Sequence, residues 1–338
     1  MTIERKAGGT PSRRGRKALG LSLAALAALG LGAAWVYREQ IGWYVQLART
    51  YLAARRFYNT YEPLARDVAF QPDMQPRLDV YSPPAGVGYP VLFFVHGGSW
   101  KDFHKELFAP VAMKLVPEGM VVVIPDYTLY PNAGYEQMAD EVAAALSWTL
   151  ENIDTYGGDP ARVVVAGHSA GAHLAGLAVM DPRFLAAYGH SSAEIRGLIG
   201  MSGVYDVQAE YDYWVEQGAY PEVIVEVMGG EERFAPASPI EYVRPDLPPV
   251  LLIHGDRDET VPVSIATAFH AALLSVGADS ELEVYDGRGH ADYLFAALAQ
   301  DGSRLVTDIA AFVRRSACQN RHCERAASAS EAIPGQVP

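Results

Sequence analysis

The sequence predicts an α/β domain on a mostly parallel, doubly wound sheet with helices on both faces. Three observations predict it. Short runs rich in β-branched residues recur from about residue 77, and they are near-continuously apolar rather than alternating. Such runs mark strands that are covered on both faces. Helix-like stretches separate them, so strand and helix alternate along the chain. At 338 residues, with half of them apolar and a fifth charged, the chain can also bury a sizeable core.

In order, the strand candidates are "RLDVYS", "VLFFV" (91–95), "MVVVIPDY" (120–127), "RVVVAG" (162–167), "LIGMSG" (198–203), "VLLIHGD" (250–256) and "ELEVYDG" (281–287). Helices are expected over about 104–117, 135–156, 170–180, 263–277 and 292–315. Residues 204–247 exceed what a simple crossover needs, and they carry Tyr205, Tyr211, Tyr213, Trp214 and Tyr220. A long aromatic insertion of this kind is expected to form a lid or substrate wall. The alternative is a small subsidiary core. Trp100, Tyr205 and Trp214 are the candidate pocket residues.

The N-terminal region reads differently. Residues 1–17 hold Arg5, Lys6, Arg13, Arg14, Arg16 and Lys17 against the single acid Glu4, and residues 18–37 carry no charge. A helix of that length rises about 30 Å, the thickness of a hydrocarbon core. Trp35, Tyr37, Trp43 and Tyr44 stand where an aromatic belt would lie. A retained signal anchor is therefore expected, with the N-terminus cytoplasmic and the main domain on the far, periplasmic or lumenal side. A cleaved signal peptide and a buried domain helix are the alternatives. Residues 38–74 are expected to be an amphipathic connecting segment, helical over about 38–66, that lies on the membrane or packs on the domain. The main domain is placed at 75–315, and residues 316–338 read as a disordered tail. That tail holds the two cysteines, Cys318 and Cys323. A local disulfide there is one alternative, and a zinc site with His322 lacks a fourth ligand.

The net charge of -13 excludes a general nucleic-acid binder, which needs a basic face. The chemistry centres on "VVVAGHSAGAHLAGL" (163–177), which runs a strand into Gly-His-Ser-Ala-Gly and then a helix. Gly-x-Ser-x-Gly at that junction is the nucleophile-elbow pattern. Gly167 and Gly171 let strand and helix approach, and Ser169 is lifted to the carboxyl end of the sheet. A serine needs a base, and the base needs an orienting carboxylate. "LLIHGDRDETVP" supplies Asp258, with Asp256 as the second choice and a turn cap as its simpler role. "VYDGRGHADY" supplies His290 in a Gly-rich loop. His254 reads as a satisfied core histidine. The side chain of His168 is expected to point away from the base, and His173 is a weaker candidate for lining the pocket. "VLFFVHGGSW" places Gly97, Gly98 and Ser99 after a strand, where backbone N–H groups can face a developing oxyanion, with the Ala170 N–H as partner.

Together, "HGGSW", "GHSAGAHLA", "HGDRDETVP" and "GRGH" resemble the α/β-hydrolase superfamily, in its HGG-type esterase/lipase branch, over about residues 75–315. "YGGDPARVVVAGHSAGAHLA", "VMGGEERFAPASP" and "SVGADSELEVYDGRGHADYLF" are similar to isoprenylcysteine methylesterases, and "MSGVYD" to kynurenine formamidases. The resemblance implies Ser169 as nucleophile, Asp258 as acid, His290 as base and the His96–Ser99 loop as oxyanion element. Ser99 replaces the third glycine of the HGGG form, and His168 stands where the plant methylesterases usually have Gln. The expected activity is a serine carboxylesterase acting through an acyl-enzyme on small or lipid-like apolar esters, without metal or organic cofactor. An arylformamidase-type amide hydrolase is the alternative. A catalytically inactive, membrane-anchored binding module is disfavoured, because no triad member is missing.

Overall fold

In the computed structural model, residues 38–61, 64–299 and 302–317 are described. The basic segment 1–17, the expected anchor 18–37 and residues 318–338, with both cysteines, lie outside them. Among the described residues no helix is long and apolar enough to cross a membrane. The chain divides after Ala48 into two units, and the second contains the sheet and every candidate site residue.

One eight-stranded sheet organises this second unit, in the order β1-β2-β4-β3-β5-β6-β7-β8. The strands are β1 (Leu64–Val68), β2 (Leu78–Tyr81), β3 (Tyr89–Val95), β4 (Val121–Pro125), β5 (Gly158–His168), β6 (Gly197–Met201), β7 (Val250–Gly255) and β8 (Ser280–Tyr285). From β4 across to β8 every pairing is parallel; β1 with β2 and β2 with β4 are antiparallel. All seven predicted strands are present.

The connecting segment needs correction. Helix α1 (Arg38–Thr60) forms as expected, but Leu64–Val68, partly read as helix, is the edge strand β1. Its sequence "LARDV" carries two charges, which an edge strand tolerates and which hide any apolar alternation. The end of α1 packs on the domain: Phe57 stacks on Tyr61 and Tyr81, and the Tyr61 hydroxyl donates to the Ser82 carbonyl at 2.8 Å.

The other helices are α2 (Ala109–Leu115), α3 (Tyr135–Asn152), α4 (Ala170–Met180), α5 (Pro182–Ala186), α6 (Val207–Glu216), α7 (Glu222–Met228), α8 (Val263–Ser275), α9 (Asp292–Ala299) and α10 (Arg304–Ser316). The stretch 292–315, predicted as one helix, is two. Gly302 takes a left-handed φ of 71°, and the Ser303 side chain caps α10 through the Leu305 N–H. Both sheet faces are covered. Phe93 belongs to the core with α3, α4 and α8, while its neighbour Phe94 points to the other face, 5.8 Å from Phe108. Every residue of α4 is buried, so its Ala-, Gly- and Leu-rich composition reflects a helix enclosed on all sides.

A buried cation locks the antiparallel edge. Lys105, 1% exposed, places Nζ 2.8 Å from Asp67 Oδ1, 3.1 Å from Glu106 Oε1 and 3.4 Å from Asp79 Oδ1. Asp79 is fully buried on β2 and also accepts the Asp67 N–H. The lysine thus joins β1, β2 and the segment before α2.

Candidate active site

Ser169 stands on the corner between β5 and α4, with φ 56° and ψ -125°. A side chain is held there only where its surroundings enforce the strain. Those surroundings are tight. A Cβ on Gly167 would overlap the Gly171 backbone, and one on Gly171 would overlap the Val95 and His96 carbonyls. The Ser169 N–H donates to the Met201 carbonyl at 2.8 Å, which ties the corner to β6.

The next two residues come from loops at the carboxyl ends of β7 and β8. His290 Nε2 lies 2.8 Å from Ser169 Oγ, and His290 Nδ1 lies 2.9 Å from Asp258 Oδ2 and 3.1 Å from Oδ1. The carboxylate can only accept here, so Nδ1 carries the proton and Nε2 receives the serine hydroxyl. Asp258 Oδ1 also accepts the Thr260 and Val261 N–H groups at 3.0 and 2.9 Å. Burial pushes this carboxyl up. Hydrogen bonds from His254 and His290, the His290 charge and the Val261 N–H pull harder the other way, and hold it well below the usual range. Asp256 instead accepts the Arg288 N–H at 3.2 Å and ties the two loops together.

The loop after β3 runs through three consecutive left-handed residues, two of them not glycine. Gly98, Ser99 and Trp100 all have left-handed φ, 134°, 49° and 60°. The Gly98 carbonyl is turned inward to accept the Lys101 and Asp102 N–H groups at 3.0 and 2.8 Å. A Cβ on Gly97 would press on the His168 carbonyl at 2.7 Å and on Ser169 Cβ at 3.1 Å, so this loop lies directly against the nucleophile corner. Ala170, the first residue of α4, has its N–H in the turn where the helix supplies no acceptor.

A cavity of about 400 Å³ opens beside Ser169. Ser99, Trp100 and Trp214 line it, as do Tyr220 and Val223 from the 204–247 insertion. The insertion therefore forms one wall of this cavity, and α6 and α7 are its body. Of the three candidate pocket residues, Trp100 and Trp214 lie on the cavity, but Tyr205 does not. Tyr205 is buried and stacks on Phe269 at 4.5 Å, because it follows the tight turn after β6 and enters the core.

Two histidines depart from expectation, and a third has an additional contact. His168 does not turn away from the base: its ring lies 5.1 Å from that of His290, and its Nε2 donates to the His290 carbonyl at 3.0 Å. Burial and the neighbouring His290 charge lower its pKa to about 3, so it is a neutral Nε2–H donor. His173 does not line the cavity. It is fully buried, donates to the Ala237 carbonyl at 2.7 Å and accepts the Trp100 indole N–H at 3.2 Å. His254 is buried as expected, yet its Nε2 faces Asp258 Oδ2 at 3.2 Å as well as the Val261 carbonyl at 2.8 Å. No local sequence signal marks these contacts, which depend on how separate strands align. Glu210, 3% exposed on the cavity wall, was also missed, because an acid in a helix usually faces solvent.

A serine–imidazole–carboxylate series at the carboxyl end of a mostly parallel sheet is an arrangement of the α/β-hydrolase class. The chain belongs to the BD-FAE family, which it matches over residues 78–273. It is 30% identical over 310 residues to isoprenylcysteine alpha-carbonyl methylesterase ICME of Arabidopsis thaliana, covering 87% of this chain and 73% of that one. It is 30% identical over 262 residues to esterase LipQ of Mycobacterium tuberculosis, covering 74% and 62%. The fold matches a truncated carbohydrate esterase from gut microbiota with a TM-score of 0.65 at 20% identity, covering 77% and 98%. It also matches the Thermogutta terrifontis esterase Est2 with a TM-score of 0.58 at 24% identity, covering 74% and 89%. This chain is a carboxylesterase.

Proposed function

We propose that the chain hydrolyses small or lipid-like apolar carboxylic esters through a Ser169–His290–Asp258 triad and an acyl-enzyme. The observation that carries this reading is the unbroken series Ser169 Oγ–His290–Asp258, with links of 2.8 and 2.9 Å. Ser169 Oγ attacks the ester carbonyl while His290 Nε2 takes its proton. Asp258 holds the Nδ1–H tautomer and stabilises the imidazolium. N–H groups of the Gly97–Ser99 loop and of Ala170 receive the oxyanion. The imidazolium then protonates the departing alcohol. Water, deprotonated by His290, attacks the acyl-enzyme and releases the acid. The mostly apolar lining of the cavity supports an apolar substrate.

Fluorophosphonate labelling tests the triad. Labelling of wild type that Ser169→Ala and His290→Ala abolish is expected, followed by turnover of p-nitrophenyl esters in preference to aryl formamides. A well-folded wild type that takes no label sinks the reading. From the basic 1–17 segment and the uncharged 18–37 run we also infer a membrane-anchored chain with its catalytic domain on the far side. Recovery of the full chain in the soluble fraction of expressing cells would remove that inference.

A further inference from the structure

Glu210 occupies an unusual place. It projects from α6 onto a cavity wall that is otherwise mostly apolar, contributed by Val204, Trp214, Val223, Ile224 and Val261. Its Oε1 accepts the Trp214 indole N–H at 2.9 Å. Its Oε2 is buried and has no hydrogen-bond partner. A buried polar atom left in this state is costly, and in a substrate cavity the group able to relieve it is the substrate. Burial raises the Glu210 carboxyl to about 8; the Trp214 hydrogen bond opposes this and the Asp258 charge adds to it. The acid is thus protonated at neutral pH, and the unpartnered oxygen serves as an O–H donor. The other titratable groups around it are Tyr213 on its own helix, Asp258, whose charge it feels, and Lys101, Tyr220 and Glu222 in the cavity lining.

We propose that Glu210 is a specificity residue, donating a hydrogen bond to an acceptor oxygen within the buried part of the ester. The cavity then selects esters bearing an ether, carbonyl or hydroxyl oxygen over hydrocarbon esters of the same size. This rests on the ester-hydrolase reading.

The test compares p-nitrophenyl hexanoate with analogues in which one chain methylene is replaced by an ether oxygen, walked along the chain. The quantity read is the ratio of kcat/KM values, oxygenated over hydrocarbon, in which the ionisation of His290 cancels. Wild type is expected to favour at least one analogue by about fivefold to tenfold, the worth of one hydrogen bond. The preference is lost in Glu210→Leu and largely kept in Glu210→Gln, whose amide still donates. In wild type the ratio falls as pH rises from about 6 to about 9.5, because the donor proton leaves, while Glu210→Gln stays flat. No oxygen preference at any position, a preference that survives in Glu210→Leu, or a pH-independent wild-type ratio would each overturn the proposal. Hexanoate turnover that Ser169→Ala abolishes leaves the hydrolase reading standing in all of those cases. No Ser169-dependent turnover of any ester overturns both.

Discussion

His168 and His290 lie ring against ring, 5.1 Å apart, and the His168 Nε2–H holds the backbone carbonyl of His290 at 3.0 Å. The residue beside Ser169 thus fixes the loop that carries His290. Both ends of the serine–histidine hydrogen bond are set from one corner of β5.

Removing that hydrogen bond should act on kcat more than on KM, since it displaces the base without touching bound substrate. For His168→Leu we expect kcat to fall about tenfold to a hundredfold, the cost of a small misplacement of a reacting group. His168→Gln, which keeps a donor of similar reach, should recover most of it. Steady-state kinetics on the three proteins, with melting temperatures to separate instability, decide the matter. Equal losses in Leu and Gln variants would deny the positioning role.

Truncation of the triad has a larger expected effect. Ser169→Ala and His290→Ala should each lower kcat/KM at least about a thousandfold, and the double variant should lose little more, because the two act as a unit. Strictly multiplicative losses would argue that they act separately.

Asp258 predicts a pH dependence of stability. Its folded carboxyl sits below the usual range, so the unfolded chain binds a proton at a pH where the native protein does not. The stabilisation is therefore fully present above about pH 5, a unit above the unfolded value of about 4, and is lost progressively as pH falls through that value toward the lower folded one. Urea unfolding between about pH 6 and about pH 2.5 should show wild type losing stability more steeply than Asp258→Asn, with most of the difference below about pH 4. Parallel curves would contradict the assignment.

The Lys105 cluster predicts the reverse of a surface ion pair. Lys105→Met leaves the fully buried Asp79 without its cation and should cost about 3–5 kcal/mol. Adding Asp79→Asn should recover part of that loss. Denaturant midpoints measure both. A loss under about 1 kcal/mol for Lys105→Met would show that the pair is surface-like.

The legible parts of the sequence are those written in local pattern. Strands β3, β4, β6 and β7 and the 163–167 stretch of β5 are nearly all apolar because both faces are covered, and the glycines around Ser169 announce a corner that no other residue fits. Edge strand β1 has no such pattern, since half of its environment is not core. The histidines are illegible for a related reason. His168, His173 and His254 differ little in local context, yet one holds the base, one holds Trp100 and one holds the acid. Those roles depend on β5, β6 and β7 lying side by side, which places residues far apart in sequence within one hydrogen bond of each other. Tyr205 sits in the core rather than the pocket, and aromatic character alone does not tell a cavity wall from a core.

The α6–α7 insertion leaves β6 and returns at β7, strands already paired in parallel along Leu198–Met201 and Val250–Ile253. Ser169, Asp258 and His290 therefore stand at the carboxyl ends of strands of one sheet, while the insertion supplies a cavity wall that carries Glu210 and reaches the Asp258 loop through the Tyr213 hydroxyl, which donates to the Glu259 carbonyl at 3.1 Å. This divides the chain into a fixed chassis and an exchangeable cassette. Substitutions within residues 207–228 are expected to retune which ester fits, provided that Tyr213, whose hydroxyl ties this segment to the Asp258 loop, is kept.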